Sequence, residues 1–439
     1  MQRRNFIQQS SLTVIGMGVF GSLLSNNKKT GTGLSVNGKR IESRIFELAK
    51  FGVDEKGRNY RVAYTKGDIE GRAWFMELMK KAGLDPTIDA AGNIIGKRNG
   101  KNASLKPIGF GSHIDMVPDG GNYDGTLGSI AALEVIEILN ENNFVTEHPL
   151  EVIIFGNEEG GTIGSKAMVG DMTAEGLKQK SQSGLTMAEG IKAIGGNPDT
   201  IKSCIRKKGD IHAWVELHIE QGGILEKEKI QVGVVEGIVG IVHWEVTIEG
   251  FANHAGTTPM NLRQDALLAA SKFIIAVNEV ANSVKGNQVG TVGKITVQPG
   301  AYNVIPGKVV LGLEIRDLSG DKIEMLFRNM QKRAATIAVA TKTKISFERQ
   351  ANESKPALTD KKLQQFINAS AKALGFTTKF MQSGAGHDSQ HIASIAPAAM
   401  IFIPSVAGIS HSPKEFSTAT DMANGANVLF QTILKIDKE

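Results

Sequence analysis

Cysteine is nearly missing. The 439-residue chain has one, Cys204, so an internal disulfide and any metal site built from several thiolates are excluded. Aromatic residues are sparse at 6%, and acidic residues are absent from positions 1–29, which carry Arg3, Arg4, Lys28 and Lys29. Those four make up most of the net charge of +5, since removing them leaves 46 basic against 45 acidic residues. A basic face for nucleic acid is therefore not supported. No stretch reaches the roughly 18 to 20 uninterrupted apolar residues that cross a bilayer as a helix. What is present is an ordinary globular balance, 41% hydrophobic and 22% charged, which excludes disorder and collagen-like order. The 50 glycines sit mostly in turns between short apolar runs, the habit of an α/β enzyme with many tight loops. The length suggests two or three domains.

Residues 1–29 read as a leader. Arg3-Arg4-Asn5-Phe6-Ile7 precedes a largely apolar run from Leu12 to Leu24, too short to span a membrane and of the right size for a signal-peptide core. The paired arginines resemble a twin-arginine export signal, which implies an exported, periplasmic protein delivered already folded. Ser25 to Gly33 contains no clean small-x-small cleavage site, so an uncleaved leader stays open as the one membrane tether.

Beyond the leader, 39–85 reads as helical, with Trp74, Phe75, Leu78, Met79 and Ala82 on one face. Strands then alternate with helices: Pro107–Ser112, the helix Leu127–Leu139, Glu151–Phe155, Trp214–Leu217 and Ala398–Ile403. That alternation predicts a sheet covered on both faces. Residues 239–350 follow another rhythm, β-α-β-β-α-β, the ferredoxin-like order, with helices over Asp265–Ser283 and Lys322–Thr341. The expected architecture is α/β: a mixed-sheet catalytic domain, 39–238 plus 351–439, interrupted by a ferredoxin-like lid and dimerisation domain at 239–350.

Four segments follow predicted strands, the edge where open α/β sheets bind ligands. Gly111-Ser112-His113-Ile114-Asp115 places a carboxylate where it can take the outer N–H of a metal-bound imidazole, and Asp124 follows in a glycine-rich turn. Asn157-Glu158-Glu159-Gly160 offers adjacent acids that can divide metal binding from proton transfer. Glu216-Leu217-His218 turns its acid and imidazole to one side of a strand. Gly408-Ile409-Ser410-His411 adds a loop histidine. Each is weak alone. Together, two carboxylates and three imidazoles can hold two divalent ions if one carboxylate bridges, and such oxygen and nitrogen donors suit Zn²⁺ or Mn²⁺.

The chain resembles the hydantoinase/carbamoylase branch of the M20 metallopeptidase family. The resemblance rests on these segments with Tyr123-Asp124-Gly125, Glu216-Leu217-His218-Ile219-Glu220-Gln221-Gly222, Ala252-Asn253-His254-Ala255-Gly256-Thr257-Thr258-Pro259-Met260, Pro299-Gly300-Ala301-Tyr302-Asn303-Val304-Ile305-Pro306-Gly307 and Ser383-Gly384-Ala385-Gly386-His387-Asp388. It implies two divalent ions per subunit, Zn²⁺ or Mn²⁺ with Co²⁺ or Ni²⁺ as further candidates. His113, Asp124 and His218 would hold one ion; Asp124, Glu159 and His411 the other. Glu158 would be the general base, and Asp115 would orient His113. Arg316 would clamp a substrate carboxylate. Gln221 and Asn303 would hydrogen-bond the substrate, and His387 would line the pocket. His254 would stabilise the oxyanion, reaching in from the second subunit of a homodimer formed through the inserted domain. His148, His212, His243 and His391 read as surface or packing residues.

The activity so implied is hydrolysis of a linear ureido or amide C–N bond in a small carboxylate substrate, an N-carbamoyl-L-amino acid or allantoate. Two departures bear on the substrate: Gly161-Thr162-Ile163-Gly164 replaces a Ser-Arg-Phe-like stretch, and arginine is missing near Val242–His243. The alternatives are an M20-type metallopeptidase acting on dipeptides and a non-catalytic exported binding homologue. His218 argues against the first, because peptidase members usually carry an acid there. The complete ligand set argues against the second.

Overall fold

The computed structural model describes residues 34–351 and 353–439, so the leader expected at 1–29 lies outside the described residues. Among the described residues no helix is long and apolar enough to cross a membrane.

Four parallel strands form the centre, in the order Leu150–Phe155, Ile108–His113, Ala213–Ile219, Ala398–Ile403. Every residue in them is buried. They read as continuous apolar runs because helices cover both faces. Gly38–Leu48, Thr126–Glu141 and Ala419–Ile436 pack together on one face, and Ile163–Val169 and Asp388–Ile392 on the other. Close seating of two of these helices needs glycine: a Cβ at Gly128 would strike the Leu217 carbonyl, and one at Gly425 the Ile403 side chain.

The sheet is wider than the sequence reading, with nine strands among the described residues. The antiparallel hairpin Asp85–Ile88 and Ile94–Arg98 extends one edge; Val232–Ile238, Ala357–Leu358 and Thr378–Ser383 extend the other. These strands are short, glycine-interrupted or polar, so tertiary pairing decides them.

The β-α-β-β-α-β order is present. Lys344–Arg349, Gly240–Glu249, Lys308–Asp317 and Val289–Gln298 form an antiparallel four-stranded sheet in that order. Burial alternates along Gly240–Glu249 and Lys308–Asp317, so only one face is covered. Helices Ala266–Ser283 and Gly320–Thr341 cover it, over a core containing Trp244, Phe273, Leu311 and Leu326. Asp265 and Ser319 cap these helices by accepting N–H groups of their first turns.

Candidate metal centre

The parallel strands deliver their chemistry at one end. His113 is the last residue of its strand and His218 the last but one; Glu158, Glu159 and His411 lie in loops that follow strand ends. Asn157, Gln221 and His411 have φ of 54°, 57° and 52°, a left-handed conformation that non-glycine residues keep only where the surroundings fix it.

His113 Nδ1 lies 3.1 Å from the Asp115 carbonyl, and His218 Nδ1 lies 2.9 Å from the Ile219 carbonyl. Each ring can give its Nδ1 proton to the backbone and turn Nε2 inward. Those Nε2 atoms stand 3.5 and 3.1 Å from Asp124 Oδ1. The other oxygen, Oδ2, faces His411 Nε2 at 3.4 Å, and His411 Nε2 is 3.5 Å from Glu159 Oε2. Asp124 thus divides its two oxygens between two donor sets, His113–Asp124–His218 and Asp124–Glu159–His411, each gathered within 4.8 Å. Glu216, His218 and His387 are also gathered, but Glu216 already accepts from Ser112 Oγ at 2.7 Å and Ser389 Oγ at 2.5 Å, while His387 Nε2 is 2.8 Å from Ser383 Oγ.

The donor sets fit divalent cations. Among the described residues, His113 Nε2 and Glu159 Oε1 are buried without a hydrogen-bond partner. Gly125, at φ 62°, leaves room beside His113 Nε2 that a Cβ would fill. The electrostatics agree. Burial opposes charge on His113 and His218, yet Glu158 beside the first and Asp124 beside the second raise both. Burial would raise Asp124, yet His218, His113 and His411 hold it well below the carboxylate range. A hydrogen bond to Asp124 lifts His411 to about 9. Burial drives Glu158 well above its ordinary value and Glu159 to about 8. The cluster gathers protons where cations would displace them.

Asp115 stands beside His113, the residue it was expected to orient, and also holds a second element. Its carboxylate is 3.7 Å from His113 Nδ1, and its nearer partners are the N–H groups of Glu158 at 3.2 Å and Glu159 at 3.1 Å. The carbonyl of Asp115 serves His113, and the side chain holds the turn bearing the paired acids.

A cleft of about 950 Å³ joins Asp124, Glu158, Glu159 and His411 to Gln221, His387 and Arg316. Gln221 Nε2 donates to Asp124 Oδ2 at 2.6 Å. Arg316, on the small sheet, donates Nε and Nη2 to Glu314 at 2.7 and 3.0 Å and Nη1 to the Gly384 carbonyl at 2.8 Å. One N–H on each of Nη1 and Nη2 remains to offer to a carboxylate. His254 and Asn303 are not among the residues lining the cleft. They sit in exposed segments joined by the two-residue pairing Asn253–His254 with Val304–Ile305, where His254 Nδ1 accepts the N–H groups of Gly256 and Thr257.

Sequence reasoning missed several residues. His243 and His391, read as surface or packing residues, both line the cleft. His243 Nε2 is 2.8 Å from Glu314 Oε2, and Thr162 Oγ1 is 2.9 Å from His391 Nε2. Glu415 is buried and accepts the N–H groups of Tyr123 and Asp124. Its signal was its place four residues after His411; Glu314's was the same strand face as Arg316. By contrast, His148 and His212 pack ring to ring, 4.2 Å between centroids, outside the cleft.

The profile of peptidase family M20/M25/M40 matches residues 109–435. The N-carbamoyl-L-amino acid amidohydrolase of Geobacillus stearothermophilus is 40% identical over 91% of this chain and 99% of that protein. The ureidoglycolate hydrolase of Arabidopsis thaliana is 38% identical, covering 95% of this chain and 90% of that one. Among solved structures, an amidase of the hydantoinase/carbamoylase family from Burkholderia multivorans is similar with a TM-score of 0.86 at 36% identity, over 92% of this chain and 99% of that one.

Proposed function

The chain belongs to peptidase family M20/M25/M40, and from that premise we propose that it is a metal-dependent amidohydrolase that cleaves a linear ureido or amide C–N bond. The observation that carries this reading is Asp124, whose Oδ1 and Oδ2 face separate imidazole sets as a bridge between two ions requires. His113, Asp124 and His218 would hold one ion, and Asp124, Glu159 and His411 the other. When bound, the ions supply Lewis acidity, lowering the pKa of a water and polarising the scissile carbonyl.

The remaining work falls to the chain's own groups. Glu158, buried beside the ligands but outside both donor sets, takes the proton of the attacking water and passes it to the leaving nitrogen. Arg316 receives the substrate carboxylate on its remaining N–H groups, held in aim by Glu314. Gln221 and His387 line the substrate's place. His254 and Asn303, outside this chain's cleft, would serve a second copy: His254 at the oxyanion, Asn303 at a substrate polar group. The exposed outer strand Val289–Gln298 supports a homodimer through the small sheet, because an open edge pairs readily with another strand. The leader supports export to the periplasm.

The substrate we favour is an N-carbamoyl-L-amino acid, then allantoate. Ammonia release from a panel of ureido acids, with dipeptides alongside, tests this on protein stripped of metal and reloaded with Zn²⁺, Mn²⁺, Co²⁺ or Ni²⁺. Turnover of ureido acids well above dipeptides is expected. The reverse ranking would return the chain to the peptidases.

A further inference from the structure

The loop bearing Asp124 is short and glycine-rich, and among the described residues no strand pairs with 118–125. Asn59 holds its start, at the Asp119 N–H and the Gly120 carbonyl, and what holds its end comes from far along the chain. Glu415 is buried at 5% exposure, and its Oε1 accepts the backbone N–H groups of Tyr123 at 2.9 Å and Asp124 at 3.1 Å. Its Oε2 lies 2.8 Å from Ser410 Oγ, and the same Oγ lies 3.1 Å from Asp124 Oδ2. Glu415 therefore grips the bridging residue's backbone directly and seats Ser410 beside its side chain, the single hydroxyl proton going to Glu415 Oε2 or to Asp124 Oδ2. Gly121 leaves the space: a Cβ there would overlap the Glu415 carboxyl group. Tyr123 and Phe416 meet edge to face at 5.7 Å beside this clasp.

Resting on the two-ion reading above, we propose that Glu415 is a positioning residue that sets the second ion's site. The asymmetry of the supports leads there. His113 and His218 stand on buried central strands, each ring held at Nδ1 by a backbone carbonyl. In the second set, His411 is a half-exposed loop residue one position from Ser410, and Asp124 Oδ2 is the oxygen Ser410 touches. The Glu415–Ser410 clasp holds those two ligands at their distance together with Gln221 Nε2, 2.6 Å from the same Oδ2 and 3.4 Å from His411 Nε2. Losing it frees Oδ2 and His411 to move apart, while Oδ1 stays beside two fixed imidazoles. Outer partners of ligands are commonly worth about 10- to 100-fold in metal affinity, and here the loss falls on one ion of two.

The test counts metal equivalents per chain after dialysis against a graded series of weak chelators, for the full-length protein loaded with Zn²⁺ or Mn²⁺. Wild type should hold two. E415A should hold one under conditions where wild type keeps two, its second ion weakened about 10- to 100-fold. E415Q should stay near two, because it retains an oxygen for both N–H groups and an amide to donate to Ser410. A role in stability alone would lower the melting temperature without separating the ions. E415A holding two ions as tightly as wild type, or losing both together, overturns the proposal. If E415A does not fold, S410A carries the same expectation, and an unchanged second ion there overturns it too. Wild type holding fewer than two ions refutes the two-ion reading instead.

Discussion

Glu158 and Glu159 are neighbours with different surroundings. Glu159 Oε2 faces His411, whereas Glu158 Oε2 lies 3.6 Å from His113 Nε2 and joins neither donor set. Glu158→Gln should keep both ions and lower kcat by about 10²- to 10⁴-fold, checked by steady-state kinetics with metal analysis on the same sample. Loss of metal instead would mean that base and ligand are exchanged. His391 makes a pH prediction. Burial, then the nearby Lys166, lowers its pKa to about 4, whereas an unfolded histidine titrates near 6.5. The unfolded chain takes this proton first, so stability falls as pH drops through 6.5 toward 4. At pH 5 the loss is about 2 kcal/mol. Urea midpoints at pH 7.5 and 5 should therefore separate further for wild type than for H391Q; equal separations contradict the assignment. At this scale the gathered imidazoles and carboxylates were legible in the sequence because they follow predicted strands. It hid Glu415, His243 and His391, whose partners lie far along the chain or on a neighbouring strand.

At the scale of elements, the central strands were legible because burial on both faces writes them as unbroken apolar runs. Val232–Ile238 and Thr378–Ser383 were not, because pairing rather than composition makes them strands. The turn from Asp119 to Gly125 joins strand chemistry to helix packing. Gly125 starts the helix Thr126–Glu141, at a φ that favours glycine, with His113 against the side where a Cβ would point. Gly125→Ala should leave the helical circular dichroism in place and displace His113, lowering affinity for the His113–Asp124–His218 ion first. Isothermal titration with Zn²⁺ checks it, and wild-type affinity at both sites would show that the loop yields without cost.

For the molecule as a whole, the small sheet matters because Arg316 lies on it while the donor sets lie on the large one. Arg316→Lys removes the paired N–H groups and leaves a point charge. It should raise KM for carboxylate substrates about tenfold, with a smaller change in kcat. An unchanged KM would remove Arg316 from the substrate's end of the cleft. The order of elements at 239–350 was readable from hydrophobic rhythm. The placing of His254 and Asn303 away from this chain's cleft was not, since only three-dimensional packing decides which loops meet. The central claim, two ions held across one carboxylate and required for turnover, has a direct measurement. Metal-free protein is titrated with Mn²⁺ or Zn²⁺ while ammonia release from an N-carbamoyl-L-amino acid and bound metal are followed together. The predicted result is no turnover without metal and a rate that saturates at two equivalents per chain; turnover by the stripped protein, or saturation at one equivalent, would contradict it.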